Sequence, residues 1–182
     1  MAEHKIVFTG PVGAGKTTAI ASISDIPPVR TEARSHDMRR APKEATTVAM
    51  DYGLLRLGGG EKVHLYGTPG QARFDFMWDI LAEGAIGLVL LVNNDARHAL
   101  RALDRFLEAF APLLRDTRLA LGVTRMDIAA DPTLADYNHR LQVHGLRAPV
   151  LEVDARRRSD VVVLLQALLY EIDPGLEGAP PA

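Results

Sequence analysis

Gly10-Pro11-Val12-Gly13-Ala14-Gly15-Lys16-Thr17 decides how the rest of the chain is read. The stretch fits the pattern G-x-x-x-x-G-K-[ST]. It follows the apolar run Ile6-Val7-Phe8 and opens the helix-like stretch Lys16 to Ser24. A strand before and a helix after are the context that a phosphate-binding loop requires. A chance strand-to-helix turn holding a lysine would share the pattern without that context. In such a loop the glycines let backbone N–H groups turn inward around phosphates. The helix that follows aims its positive end at them. Lys16 then reaches the β- and γ-phosphates, and the Thr17 hydroxyl can coordinate Mg²⁺. Val12, Gly13, Ala14, Gly15, Lys16, Thr17 and Thr18 are the expected phosphate-binding set, with Lys16 also catalytic.

Outward from the loop, Pro27-Pro28 stops the first helix. Arg30 to Glu44 is polar and has no period, so it reads as a long loop of the kind that usually carries function. Thr47 to Leu57 and Glu61 to Tyr66, joined by Gly58-Gly59-Gly60, read as an antiparallel hairpin. Strands at Ala85 to Val92, Leu119 to Thr124 and Pro149 to Val153 then alternate with helices at Ala96 to Ala111, Thr133 to Val143 and Ser159 to Ile172. The last helix is apolar on more than one face, which simple burial would explain. Alternation of this kind implies an α/β fold with a mainly parallel sheet covered on both faces. The expectation is one P-loop domain over residues 1–173. It has a six-stranded sheet with one antiparallel strand, and 174–182 form a disordered tail.

Composition narrows the function classes. The chain has 182 residues, 47% of them apolar, and a formal net charge of −2. It lacks the basic footprint of a nucleic-acid binder. It has no cysteine, which removes disulfides, thiolate metal sites and lipidated cysteines. The longest apolar run, Ala85 to Val92, is strand length. The N-terminal residues show no apolar signal region. These features predict a cytoplasmic protein with no direct membrane anchor, a monomer or weak homodimer. His64 and His98 have no metal-ligand spacing. Arg156-Arg157-Arg158 reads as a solvated face.

Four later segments fall in a telling order. Leu65-Tyr66-Gly67-Thr68-Pro69-Gly70-Gln71-Ala72-Arg73-Phe74 resembles the switch II segment of Ras-like GTPases, usually D-T-A-G-Q-E-R-F. The resemblance implies that the Gly70 N–H meets the γ-phosphate and that Gln71 orients the attacking water. Thr46-Thr47-Val48-Ala49-Met50-Asp51-Tyr52 resembles the end of switch I, so Thr47 would bind Mg²⁺ and the γ-phosphate. Thr124-Arg125-Met126-Asp127 stands where these proteins carry N-K-x-D, with Asp127 accepting two hydrogen bonds from guanine. Val153-Asp154-Ala155-Arg156 resembles the S-A-K segment, so Asp154, Ala155 and Arg156 join the guanine site.

From Lys5 to about Ile172 the chain resembles a bacterial branch of Ras-like small GTPases, the branch of the gliding-motility GTPase MglA and of the GTPases of actinobacterial conservons. It implies GTP/GDP and Mg²⁺ as ligands, slow hydrolysis, and roadblock-type proteins as regulators. Several positions depart from the pattern. Gly67 replaces the usual aspartate that holds Mg²⁺ through water, which leaves Thr17, Thr47 and the phosphates to hold the metal. Asp51 is a nearby carboxylate whose direction strand alternation leaves open. Thr124 and Arg125 replace Asn and Lys. Val12 replaces a glycine. Arg30, Arg34, Arg39, Arg40 and Arg73 are candidate arginine fingers in cis, although solvated loop arginines are the plainer reading of each. Other readings stay open: a nucleotide-binding module with negligible hydrolysis, or ATP in place of GTP. A P-loop kinase is a third reading, which Gly70-Gln71 and Asp127 speak against.

Overall fold

Ile6, Val7 and Phe8 are all buried because their strand is the middle of the sheet. The computed structural model describes residues 3–35, 46–70 and 76–173. The strands are β1 (Glu3–Thr9), β2 (Val29–Ser35), β3 (Thr46–Arg56), β4 (Lys62–Gly67), β5 (Gly87–Asn93), β6 (Arg118–Thr124) and β7 (Val150–Glu152). The helices are α1 (Lys16–Ile23), α2 (Phe76–Ala82), α3 (Ala99–Ala109), α4 (Leu134–Val143) and α5 (Arg158–Ile172). The sheet order is β2-β3-β4-β1-β5-β6-β7. The β4, β1, β5, β6 and β7 pairings are parallel, and β3 runs against both of its neighbours.

Alternation along β1 and β5 splits the core in two. Ile6, Phe8, Val89 and Leu91 pack with Ile20 and Ile23 of α1 and with Leu164 and Leu168 of α5. Val7, Leu88, Leu90 and Val92 pack on the other face with Trp78, Leu103, Phe106, Leu107 and Leu141. Each such side chain is worth about 1.5–3 kcal/mol when fully buried. With helices on both faces, a ligand is expected at the edge above the C-terminal ends of the parallel strands. The segments after Thr9, Asn93, Thr124 and Glu152 gather there.

The sheet has seven described strands, one more than the expected six. The extra strand is β2, which occupies the start of the stretch read as a loop and pairs antiparallel with β3 from Val29↔Tyr52 to Ser35↔Thr46. Residues 36–45 of that stretch lie outside the described residues, as does the tail from 174. Helix α2 was not foreseen. Simple burial covers only part of α5, since Val163 and Tyr170 are exposed. Among the described residues no helix is long and apolar enough to cross a membrane.

Candidate functional site

The loop between β1 and α1 has the backbone that its glycines permit. Gly10, Gly13 and Gly15 all have positive φ, at 139°, 80° and 98°. At Gly10 the space is also taken, because a Cβ would lie 2.0 Å from the Leu91 carbonyl oxygen. Gly15 caps α1, so the helix begins at Lys16 with its free N–H groups facing the loop. The Lys16 ammonium is buried. It donates to the Gly10 carbonyl at 2.7 Å and the Pro11 carbonyl at 2.8 Å. Burial lowers its pKa from 10.5 to about 8, with the Asp51 charge opposing.

Asp51 is the carboxylate whose direction the sequence left open. It lies opposite Gly67 in the β3–β4 ladder and faces α1. Its Oδ2 accepts from the Thr17 hydroxyl in a short bond, and Arg30 Nε of β2 lies 3.6 Å from its Oδ1. A Cβ at position 67 would stand 3.1 Å from Asp51 Cβ and 3.1 Å from Ile20 Cδ1. Carboxylates at 51 and 67 would compete for one space. This chain carries its carboxylate on β3 instead of β4.

Thr47 lies on β3 opposite Arg34, and its backbone is about 13 Å along the strand from Asp51. Its side chain is outside the described ones, and so is the whole of Gln71. Gly70 is described, and it closes on the loop. A Cβ there would lie 2.7 Å from the Val12 nitrogen and 2.8 Å from Lys16 Nζ. The approach of these two segments needs glycine for room.

Val12 is exposed and lies outside the main cavity; the remaining predicted residues meet on that cavity, of about 790 Å³. Gly13, Ala14, Gly15 and Thr18 line it from the loop, Thr124, Arg125 and Asp127 from the end of β6, and Asp154, Ala155 and Arg156 from the segment before α5. Thr124 is buried, and its hydroxyl lies 3.1 Å from the Ala14 carbonyl and 3.4 Å from that of Val92. The threonine thus braces the phosphate loop against β6. Arg125 has φ 62° and donates to Asp95 at 2.8 Å, which holds the Asp95 carboxyl below its ordinary pKa. Asp154 accepts from the Arg156 backbone N–H at 3.0 Å, and from its Nε and Nη2 at 2.8 Å each. These bonds lower the Asp154 pKa to about 2. Asp127 is exposed in the cavity, and its charge acts on Arg156.

Sequence reasoning missed the residues that hold the segment after Asp127. Asn94 is buried. Its amide donates to the Ala129 and Pro132 carbonyls at 2.7 and 2.9 Å, and it accepts from the Tyr137 hydroxyl at 2.6 Å. No local pattern marks such a tie, because it joins three separate elements. Met126, Ile128, Leu151 and Val163 also line the cavity without having been singled out. Among the described residues no cluster of His, Asp and Glu could hold a metal by itself.

A glycine loop capping α1, a buried lysine and a half-buried threonine in it, and a cavity of mixed lining at the C-terminal strand edge define a nucleotide-binding P-loop protein. The chain belongs to the family described as "Conserved hypothetical ATP binding protein", whose model matches residues 8–169. It is 30% identical over 139 residues to "Uncharacterized protein MJ1339" of Methanocaldococcus jannaschii, across 75% of this chain and 79% of that one. It is 27% identical over 142 residues to the mutual gliding-motility protein MglA of Myxococcus xanthus, across 75% and 67%. The human intraflagellar transport protein 22 homolog is 25% identical over 123 residues, across 66% and 64%. These likenesses support the Ras-like superfamily as the setting of the chain.

Proposed function

We propose that this protein is a small GTP-binding switch of the MglA and conservon-associated type, with slow GTP hydrolysis regulated by a roadblock-type partner. The observation that carries the reading is the meeting of Asp127 with the Asp154–Arg156 segment on the cavity that also holds the phosphate loop. A carboxylate there accepts from the two donors on guanine's pairing edge. Adenine offers no matching pair. Thr124 supports the same reading, because its bond to Ala14 fixes the base-side residues relative to the phosphate loop. The partner rests on the resemblance alone.

Mg²⁺ fits the donors present. Thr17 and Asp51 supply hard oxygens side by side, the ligand type this ion takes. They would hold it, and Thr47 would join them from switch I. The ion would neutralise charge on the β- and γ-phosphate oxygens. Lys16 would bind the same phosphates, Gly70 would donate its N–H to the γ-phosphate, and Gln71 would orient water. Single-turnover hydrolysis checks that last role. Gln71→Leu should slow it at least tenfold, and an unchanged rate removes Gln71 from the mechanism.

An adenine nucleotide is the second reading, favoured by the description of the family. Calorimetric titration with GDP, GTP, ADP and ATP in Mg²⁺ separates the two. Guanine nucleotides should bind at least tenfold tighter. Equal affinities, or the reverse order, overturn the guanine assignment and leave the phosphate loop intact.

A further inference from the structure

We propose that Trp78 is a positioning residue for the γ-phosphate: its indole N–H holds the Pro69–Gly70 peptide so that the Gly70 N–H faces the phosphate loop. The inference rests on the nucleotide reading above and adds a residue to it. Trp78 is the sole tryptophan of the chain. It is buried on α2, and its Nε1 donates to the Pro69 carbonyl at 3.1 Å. An indole has one donor and no acceptor, so this bond uses its whole hydrogen-bonding capacity.

The Pro69 carbonyl and the Gly70 N–H belong to one peptide unit. That unit is trans, since the one cis bond among the described residues is Asp131–Pro132. In a trans unit the C=O and N–H point in opposite directions. Fixing the carbonyl toward α2 therefore turns the N–H away from it. On the other side stands the phosphate loop. A Cβ on Gly70 would come within 2.7 Å of the Val12 nitrogen and 2.8 Å of Lys16 Nζ.

Trp78 cannot swing freely. Its ring stacks on Phe106 at 4.8 Å and 22° and on Phe110 at 5.2 Å and 12°. Both partners are carried by α3 and its C-terminal end. Pro11, Gly70, Trp78 and Phe106 also share the wall of a second cavity of about 470 Å³. Pro69 is buried and Gly70 half-buried, so the peptide is held between the indole and the phosphate loop. The indole bond sets the direction of that peptide's carbonyl, and the aromatic stack only keeps the indole in place.

A packing role alone would make Trp78 a stability residue with no preference among nucleotides. The test is Trp78→Phe, which keeps a ring in the stack and removes the donor. Affinities for GDP and for its β,γ-imido triphosphate analogue are measured by calorimetry, with ADP and its imido analogue in parallel. In Trp78→Phe the diphosphate affinity should stay within about twofold while the triphosphate affinity falls about fivefold, the worth of one hydrogen bond. An unchanged ratio overturns the proposal. Phe106→Leu should lower the melting temperature and leave the ratio alone. A ratio that moves equally in this variant would assign the effect to packing and overturn the proposal too.

Should Trp78→Phe fail to fold, the wild type supplies the reading through its single tryptophan. Emission in the imido triphosphate complex should differ from that in the diphosphate complex, and identical spectra overturn the proposal. A wild type that binds none of the four nucleotides overturns the nucleotide reading and this proposal together. A wild type that binds them, with the ratio unchanged in Trp78→Phe, sinks this proposal alone.

Discussion

Lys16 carries two opposing demands. It must be charged to meet phosphates, yet the loop buries it, and burial brings its pKa down to about 8. The unfolded chain would titrate it near 10.4. Between those values the unfolded state holds more protons, so the Lys16 contribution to stability of the free protein rises with pH across that window. Nucleotide binding reverses the shift, because phosphate charge favours the ammonium. Binding at pH 9 should therefore take up close to one proton per nucleotide, and binding at pH 7 almost none on account of this group. Calorimetry of GDP in buffers of different ionisation enthalpy reads the uptake directly. Lys16→Arg, whose guanidinium stays charged, should abolish the pH 9 uptake. Uptake that persists in that variant would assign the proton to another group. The position of Lys16 was legible in the sequence, since spacing to Gly10 and Gly15 fixes it. Thr124 and Asp127 were located differently, by the resemblance of their segment to N-K-x-D after a strand. What Thr124 does was not legible, because its bond to Ala14 spans 110 residues.

At the scale of elements, the parallel strands and their crossover helices were legible, since apolar runs of strand length alternated with helical periods. Strand β2 was not. Val29-Arg30-Thr31-Glu32-Ala33-Arg34-Ser35 is mostly polar, as suits an edge strand, and among the described strands it pairs with β3 alone. Pairing supplied from elsewhere in the chain leaves no local period. The carboxylate exchange between β3 and β4 was half legible. Gly67 announced a missing aspartate, but alternation fixes which residues share a face and not which face meets α1. The structure turns Asp51 toward Thr17, and so makes a strand-level prediction. Asp51→Gly should raise the Mg²⁺ concentration needed for nucleotide binding at least tenfold. Gly67→Asp alone should destabilise the protein, because its Cβ would crowd Asp51 and Ile20. The double variant, Asp51→Gly with Gly67→Asp, should recover both folding and Mg²⁺ dependence. Mg²⁺ titration of nucleotide affinity, with melting curves alongside, checks all three. Independent, additive losses in the double variant would mean that the two strands do not share one carboxylate position.

For the whole molecule, the two cores lie on opposite faces of one sheet, and the candidate site lies across its edge. The nucleotide cavity touches α1 through Thr18, the end of β6 through Thr124 and the start of α5 through Asp160. A ligand there crosslinks segments far apart in the chain, so its affinity adds to the stability of the entire domain. A ligand at a hundredfold excess over its Kd adds about 2.7 kcal/mol, and a hundredfold difference in Kd between two ligands separates them by the same amount. In a domain of this size each kcal/mol moves Tm by about 2–4 °C. GDP and ADP, each at 1 mM with Mg²⁺, should then differ by about 5–10 °C in melting temperature if guanine is preferred a hundredfold. Removing the Asp127 carboxylate as Asp127→Ala should collapse that gap by lowering the GDP value while leaving the ADP value where it was. Equal shifts in the wild type would favour the adenine reading that the family description carries. A gap that survives Asp127→Ala would keep guanine preference but move its source to the Asp154–Arg156 side of the cavity.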